Sequence, residues 1–356
     1  MKINGRDSHK NGGKNMKFKE LKSIAVIAAL SGALLFSSCS NSESGSDSGS
    51  DGNSDVADVT DSGEDNTSSD SSEASPDEWF EWIGTEITSL TEEGRQQKVI
   101  VVPEKCTEFF ISNFGITADG QYGLLPDPEV EELYFLNPDT KVTGITAVNL
   151  KKVVMPENTT ELEGDCFHGC TSLEEVVLPE GITVIPDGCF YGWAITSFDF
   201  DGIEEIEKNA ISYCANLAEV NFGDGLKTIG DRAFEKCTSL TEVEIPEGVT
   251  SIGLDAFSSC SALKKVPLPS TLEQIGFSCF GYTVMEELYA PCSPICVFYN
   301  NDSDSDEEYV EYSSMDILPG VTTHPTIKTN HGTTFDEYFS DEDNIASSYW
   351  TVEYLD

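Results

Sequence analysis

Basic residues are scarce in this chain. Its 356 residues include 20 Lys and Arg against 64 Asp and Glu, a formal charge of −44. A field of that sign excludes nucleic acid and anionic lipid surfaces as direct partners. There are only four histidines, and His168, His324 and His331 show neither CxxC nor HxxxH-type spacing, so no zinc site is expected. No G-x-S-x-G, H-E-x-x-H, Walker loop or G-x-G-x-x-G occurs. Neither a catalytic residue nor a cofactor is therefore expected. Pairs of acids are too common here to mark a catalytic dyad. The stretch DSDSDEE from Asp302 has Glu307 where a calcium loop needs its sharp-turn Gly and Ser313 where it needs a bidentate Glu, which rules out an EF-hand. It reads as an acidic surface insertion, with a loose, weak calcium site as the alternative.

Long apolar runs are also lacking. The longest, Ile24 to Phe36, is too short and too rich in small residues for a permanent membrane span. Lys17, Lys19 and Lys22 precede it, and Ser37, Ser38 and Cys39 follow, the layout of an export signal over residues 1–38. Met16 is a plausible start for that signal. The ending LFSSC resembles a bacterial lipobox, which implies diacylglyceryl attachment to Cys39 and cleavage before it; a plain cleaved secretory signal is the alternative. Residues 39–77 are Ser, Asp, Gly, Glu, Asn and Thr with almost nothing apolar. Such a stretch cannot bury enough surface to offset chain entropy, so a disordered tether is expected. About 40 flexible residues span ~35 Å on average, and like charges extend them further. Removing residues 1–38 takes away seven basic and two acidic residues, which leaves 13 and 62 and a formal charge of −49.

What is present is a repeat. From Gln97 to Pro291 one pattern recurs about every 22 or 23 residues, most clearly as LTEVEIPEGVTSIGLDAFSSCSA from Leu240. With Leu240 as offset 0, apolar residues fall at offsets 3, 5, 9, 12, 16, 17 and 20, with Pro246 at 6. The frame fits copies from Leu150, Leu173, Leu217 and Leu263, and from Ile195 with one residue deleted. A copy this short cannot bury its apolar face alone, so successive copies must stack. Offsets 3 and 5 predict a short strand with its inner face apolar, and Pro at 6 ends it because it has no ladder N–H. The AF-x-x-C spacing predicts a single helical turn. Seven strand cores from Leu150 to Ala290 would stack to roughly 30–35 Å.

QKVIVVPEKCTEFFISNF from Gln97 reads as an early copy, with Ile100, Val102, Pro103, Cys106, Phe109 and Phe114 in frame, and Val130 to Leu136 as another strand. Gly115 to Pro128 would be an irregular insertion. Trp79, Phe80, Trp82, Ile83, Ile87 and Leu90 sit at roughly helical spacing and predict an amphipathic cap. The expected organisation is an N-terminal cap with irregular repeats over 78–149, regular repeats over 150–291, and a C-terminal cap with the acidic insertion over 292–356.

The repeat resembles the leucine-rich repeats of the BspA-like, Treponema pallidum type. The resemblance covers about 190 residues, and five copies keep most of the marked positions. It implies a β-rich leucine-rich-repeat solenoid, a right-handed coil with a parallel sheet on its concave face and short helical turns and strands elsewhere. It also implies a non-enzymatic surface protein that binds macromolecules, host matrix proteins among them.

The candidate binding face is the outward side of the first strand. Offset 2 supplies Lys152, Glu175, Ser197, Glu219, Glu242, Lys265 and Glu287; offset 4 supplies Asp199, Asn221, Glu244 and Tyr289 with Val154, Val177 and Pro267. Stacked like charges such as Glu219 beside Glu242 repel by about 1 kcal/mol in water. A sheet selected for stability alone would tend to avoid them, which favours binding; a merely solvated face is the alternative. The partner expected is a protein or cell-surface macromolecule, with membrane attachment only through the lipid. A surface glycan-capture role is the second reading, and Tyr289 alone is thin support for it.

The cysteines follow the frame. Cys170, Cys214, Cys237 and Cys260 share offset 20, Cys166, Cys189 and Cys279 share offset 16, and Cys106 sits at offset 9. Small buried apolar residues account for these. A ladder of disulfides between copies is the alternative, as is a disulfide joining Cys292 and Cys296, which lie outside the frame.

Overall fold

The repeats fold around one apolar interior, and most present two short strands and a turn segment; the Leu150 copy lacks the second strand and the Leu240 copy has an isolated bridge in place of the first. A computed structural model describes residues 73–116, 122–299, 309–311, 317–321, 324–339 and 350–355, and Ser75–Asp356 forms one compact unit. Nearly all pairing between repeats is parallel and in register. Lys152–Val154 pairs with Glu175–Val177, Ser197–Asp199 with Glu219–Asn221, and Lys265–Pro267 with Glu287–Ala290. The first-strand wall is not one sheet. Its order breaks between Val177 and Ser197 and again between Asn221 and Glu242, which keeps only an isolated bridge to Lys265.

The second strand, at offsets 11 and 12, makes the longer ladder. Val184–Ile185, Glu205–Ile206, Thr228–Ile229, Ser251–Ile252, Gln274–Gly276 and Ile295–Tyr299 stack in parallel, and Tyr309–Glu311 closes the sheet antiparallel. Ile206, Ile229, Ile252 and Ile275 form one buried column. Between the walls runs a second column at offset 17. Phe234, Phe257 and Phe280 stack with centroids 5.2 and 5.7 Å apart, and Phe167 stacks on Phe190 at 5.6 Å. Each of these rings is fully buried.

The AF-x-x-C segment is not the expected helical turn. In all six copies offsets 15 and 19 have positive φ: Asp165 and Gly169, Gly188 and Gly192, Asn209 and Tyr213, Arg232 and Lys236, Asp255 and Ser259, Ser278 and Tyr282. The reversed residues turn amides toward the next repeat. Arg232 N–H donates to Leu254 O at 2.8 Å, Phe234 N–H to Ala256 O at 2.8 Å and Lys236 N–H to Ser258 O at 2.9 Å. A helix would spend those amides within its own turn; here they tie the repeats together.

The N-terminal segment also differs from expectation. Phe80–Ile83 and Glu86–Leu90 form an antiparallel hairpin around Gly84 (φ 67°), not an amphipathic helix. Phe80, Ile87 and Leu90 are buried while Ile83 is 66% exposed. Ser75 anchors it from within the stretch assigned to the tether: its hydroxyl accepts Val101 N–H at 2.9 Å and its N–H donates to Val101 O at 2.9 Å. In the early copy Ile100, Val102, Cys106 and Phe109 are buried as framed. Glu132–Phe135 takes its place between Val99–Val102 and Lys152–Val154. The insertion contains an antiparallel pair, Phe114–Ile116 with Tyr122–Leu124. At the other end Thr326–Thr329 pairs in parallel with Glu287–Ala290, and Thr351–Tyr354 with Thr326–Thr329, so the ladder gains two rungs beyond Ala290. A short helix, Thr334–Phe339, buries Phe335 and Phe339 beside them. Among the described residues no helix is long and apolar enough to cross a membrane.

Candidate interaction surface

Alternation along the first strand sends offsets 2 and 4 outward because offsets 3 and 5 are held in the core. Val153, Val243, Val266 and Leu288 are buried, while Glu175, Ser197, Asp199, Glu219, Asn221, Glu242, Glu244, Lys265 and Tyr289 are exposed and Lys152 and Glu287 half-buried. The eleven candidate residues fall into three groups along the broken wall. At one end Lys152 Nζ pairs with Glu175 Oε1 at 2.7 Å. In the middle Asn221 donates its side-chain N–H to Asp199 Oδ1 at 2.9 Å, with Ser197 beside Glu219. At the far end Glu242, Glu244, Lys265, Glu287 and Tyr289 come together with Val243 and Pro267 around an open groove of 430 Å³.

Charge is compensated at Glu175 and Glu287 and not at the carboxylates between them. Lys265 lies 3.8 Å from Glu287, and Lys328 Nζ lies 2.7 Å from the same carboxylate and 3.9 Å from Glu353. The hydrogen bond from Lys328 holds the Glu287 carboxyl below its usual range. Among the described residues no ion pair engages Glu219, Glu242 or Glu244. The sheet order stops between Asn221 and Glu242, the same step at which Glu219 would stand beside Glu242.

Lys328 belongs to this face and the repeat frame missed it. Thr326–Thr329 keeps the alternation, with Ile327 buried and Lys328 half-buried, but it begins 39 residues after Glu287, so the period hides it. Cys39 and the Asp302 stretch up to residue 308 lie outside the described residues. Among the described residues no group of three His, Cys, Asp or Glu is arranged to hold a metal ion, and none of the ten cysteines is in a disulfide.

The family of BspA type leucine rich repeat regions matches residues 146–202 and 185–301, in six copies. Residues 146–301 carry BspA-type leucine-rich repeats. The matched span holds every strand of the face from Glu175 to Ala290, and repeats of this family are generally a protein-interaction scaffold. A leucine-rich repeat protein from Bacteroides ovatus is 16% identical, with 78% of this chain and 74% of that one covered and a TM-score of 0.43. The Treponema pallidum leucine-rich repeat protein is 24% identical over 64% and 86%, with a TM-score of 0.34. A leucine-rich cell surface protein from Faecalibacterium prausnitzii is 19% identical over 73% and 79%, with a TM-score of 0.36. No curated protein matches this chain.

Proposed function

We propose that this chain is a non-enzymatic, lipid-anchored surface protein that presents the first-strand wall of its BspA-type repeats to a basic protein or cell-surface partner. Residues 1–38 would be removed, Cys39 acylated, and 39–77 would hold the repeats off the lipid. The observation that carries the reading is the groove at Glu242, Glu244 and Tyr289, which two exposed carboxylates, in no ion pair among the described residues, line together with an exposed ring. Carboxylates kept side by side raise the energy of the free protein, and a cationic partner relieves that repulsion on docking. A host matrix protein with a basic patch fits this chemistry. Calcium is a second ligand to consider only at the Asp302 stretch.

The test compares binding of a chain beginning at Glu73, which drops most of the tether's acids, with its Glu219→Gln, Glu242→Gln, Glu244→Gln triple variant against immobilised matrix proteins, with calcium and with EDTA. Three lost rim charges should weaken association by about tenfold, mainly through on-rate, while melting temperature stays level or rises. Equal affinity of the two chains for a partner that binds would remove the acidic wall from the reading.

A further inference from the structure

The turn segments form a separate surface that the repeat frame did not single out. Asp165, Asn209, Arg232 and Asp255 at offset 15, with Tyr213 and Tyr282 at offset 19, contribute to a groove of 880 Å³ along the repeats. Its floor is fixed, because the amides at offsets 15, 17 and 19 are bonded to the next repeat. Side chains on it therefore recur at about 4.8 Å, the rise of one rung.

Three features define what this groove suits. The first is exposed aromatic surface: Tyr282 is 62% exposed, and Tyr213, 40% exposed, packs against Tyr191 with centroids 4.9 Å apart and against Lys236. The second is the position of the cations. Lys236 Nζ sits 4.2 Å from the Tyr213 ring centroid and 3.2 Å from Glu235, and Arg232 lies 3.6 Å from Asp255. The third is a mixture of planar donors and acceptors, with Asn209 donating its side-chain N–H to Asp187 at 3.2 Å.

These features select among ligand classes. Carboxylates at Asp165, Asp187, Glu235 and Asp255 repel a phosphate chain, and Arg232 and Lys236 in their midst oppose a basic peptide. An apolar segment would leave these polar groups without partners. A neutral sugar chain meets every requirement. Its vicinal hydroxyls donate and accept at once, its ring faces are apolar enough to lie on tyrosine, and one pyranose unit is about the length of one rung. We infer that the turn wall, centred on Tyr191, Tyr213 and Arg232, is a binding face for a neutral oligosaccharide. It lies on residues other than those of the acidic strand wall, so the two can succeed or fail separately.

Native affinity electrophoresis of the full chain through gels containing soluble starch, xyloglucan, mixed-linkage β-glucan or galactomannan tests this. Wild type should be retarded in at least one gel. Tyr213 has φ 64°, a conformation in which glycine is at ease, so Tyr213→Gly removes the ring without straining the turn. It should keep the wild-type melting temperature and show roughly tenfold weaker retardation, while Tyr213→Phe stays retarded. The Glu219, Glu242, Glu244 triple Gln variant should run as wild type does. Free mobility of wild type in all four gels would overturn the inference, as would retardation of Tyr213→Gly equal to wild type. If no gel retards the protein and Tyr213→Gly instead weakens attachment to a matrix protein, the turn wall is a protein contact and the sugar assignment falls.

Discussion

The cysteines at offset 20 serve more than packing. The Cys170 thiol donates to Ile145 O at 3.2 Å, Cys214 to Phe190 O at 3.2 Å, Cys237 to Ile211 O at 3.4 Å and Cys260 to Phe234 O at 3.1 Å, each reaching back one repeat. Thr283, at the same offset, turns its hydroxyl to Phe280 O at 2.9 Å. Trp193, the other replacement, fills the space but leaves its buried indole N–H without a partner among the described residues. Periodicity shows that a small apolar residue belongs at offset 20; it does not show the carbonyl above it, so the bond was not legible. Burial pushes the Cys166, Cys170, Cys214 and Cys260 thiols up from 9.0 to about 12. Between those values the unfolded chain has lost protons that the folded chain keeps, so stability is full below pH 9 and falls as pH rises toward 12. Thermal melts from pH 8 to 11 should show this loss, and replacing Cys237 and Cys260 by Ala should flatten it; an unchanged slope would assign alkaline sensitivity to other groups. The phenylalanine column was legible, because offset 17 is Phe in five of six copies. Phe257, stacked on both sides, should cost ~3–5 kcal/mol when cut to Ala, whereas exposed Glu244→Ala should be nearly silent in the same denaturant titration.

At the scale of elements, the repeat strands were legible except at Glu242, where only an isolated bridge forms, and the turns were not. The first-strand alternation is a period-2 signal that nothing else imitates. The spacing of Ala256, Phe257 and Cys260 is met equally by one helical turn and by two consecutive turns with reversed residues. Glycine would have separated them, yet nine of the twelve positive-φ positions are not Gly. The hairpin of Trp79 to Leu90 was misread for a similar reason, since its buried residues also fall at helical intervals. One glycine signal is present at offset 13, in Gly230, Gly253 and Gly276. A Cβ on Gly253 would lie 2.4 Å from Asp231 N, and one on Gly276 2.3 Å from Gly253 C, so neighbouring repeats close to backbone contact there. Gly253→Ala must therefore push two repeats apart and should cost ~1–3 kcal/mol. Gly225, where a Cβ would sit 3.5 Å from Ile203 O, is in ordinary contact, and Gly225→Ala should stay within about 0.5 kcal/mol. Equal losses on urea denaturation would mean that the repeats have more slack at offset 13 than this packing allows.

For the whole molecule the deciding quantity is charge. A formal −44 acts on the fold and on its partner with opposite signs. Within the chain, acids repel across rungs about 4.8 Å apart, and the ion pairs that offset them are largely exposed, with Lys265 51% and Glu175 50% accessible. Exposed pairs contribute little, so net self-repulsion should remain. That field also keeps the protein from anionic lipid on its own, which makes the proposed anchor at Cys39 decisive for location. Cys39→Ser should move the protein out of the membrane fraction, and a fatty-acid probe that fails to label the wild type would remove the anchor from the reading. Salt separates the remaining effects. Raising ionic strength from about 0.01 M to 0.15 M shortens the screening length from roughly 30 Å to roughly 8 Å. Repulsion across several rungs then fades, and melting temperature should rise. Attraction to a basic partner fades by the same screening, and its on-rate should fall. A neutral sugar on the turn wall should be nearly indifferent to the change. Measuring all three across one salt series assigns each face its chemistry: a partner whose affinity does not fall with salt does not bind through Glu219, Glu242 and Glu244, however close to them it docks.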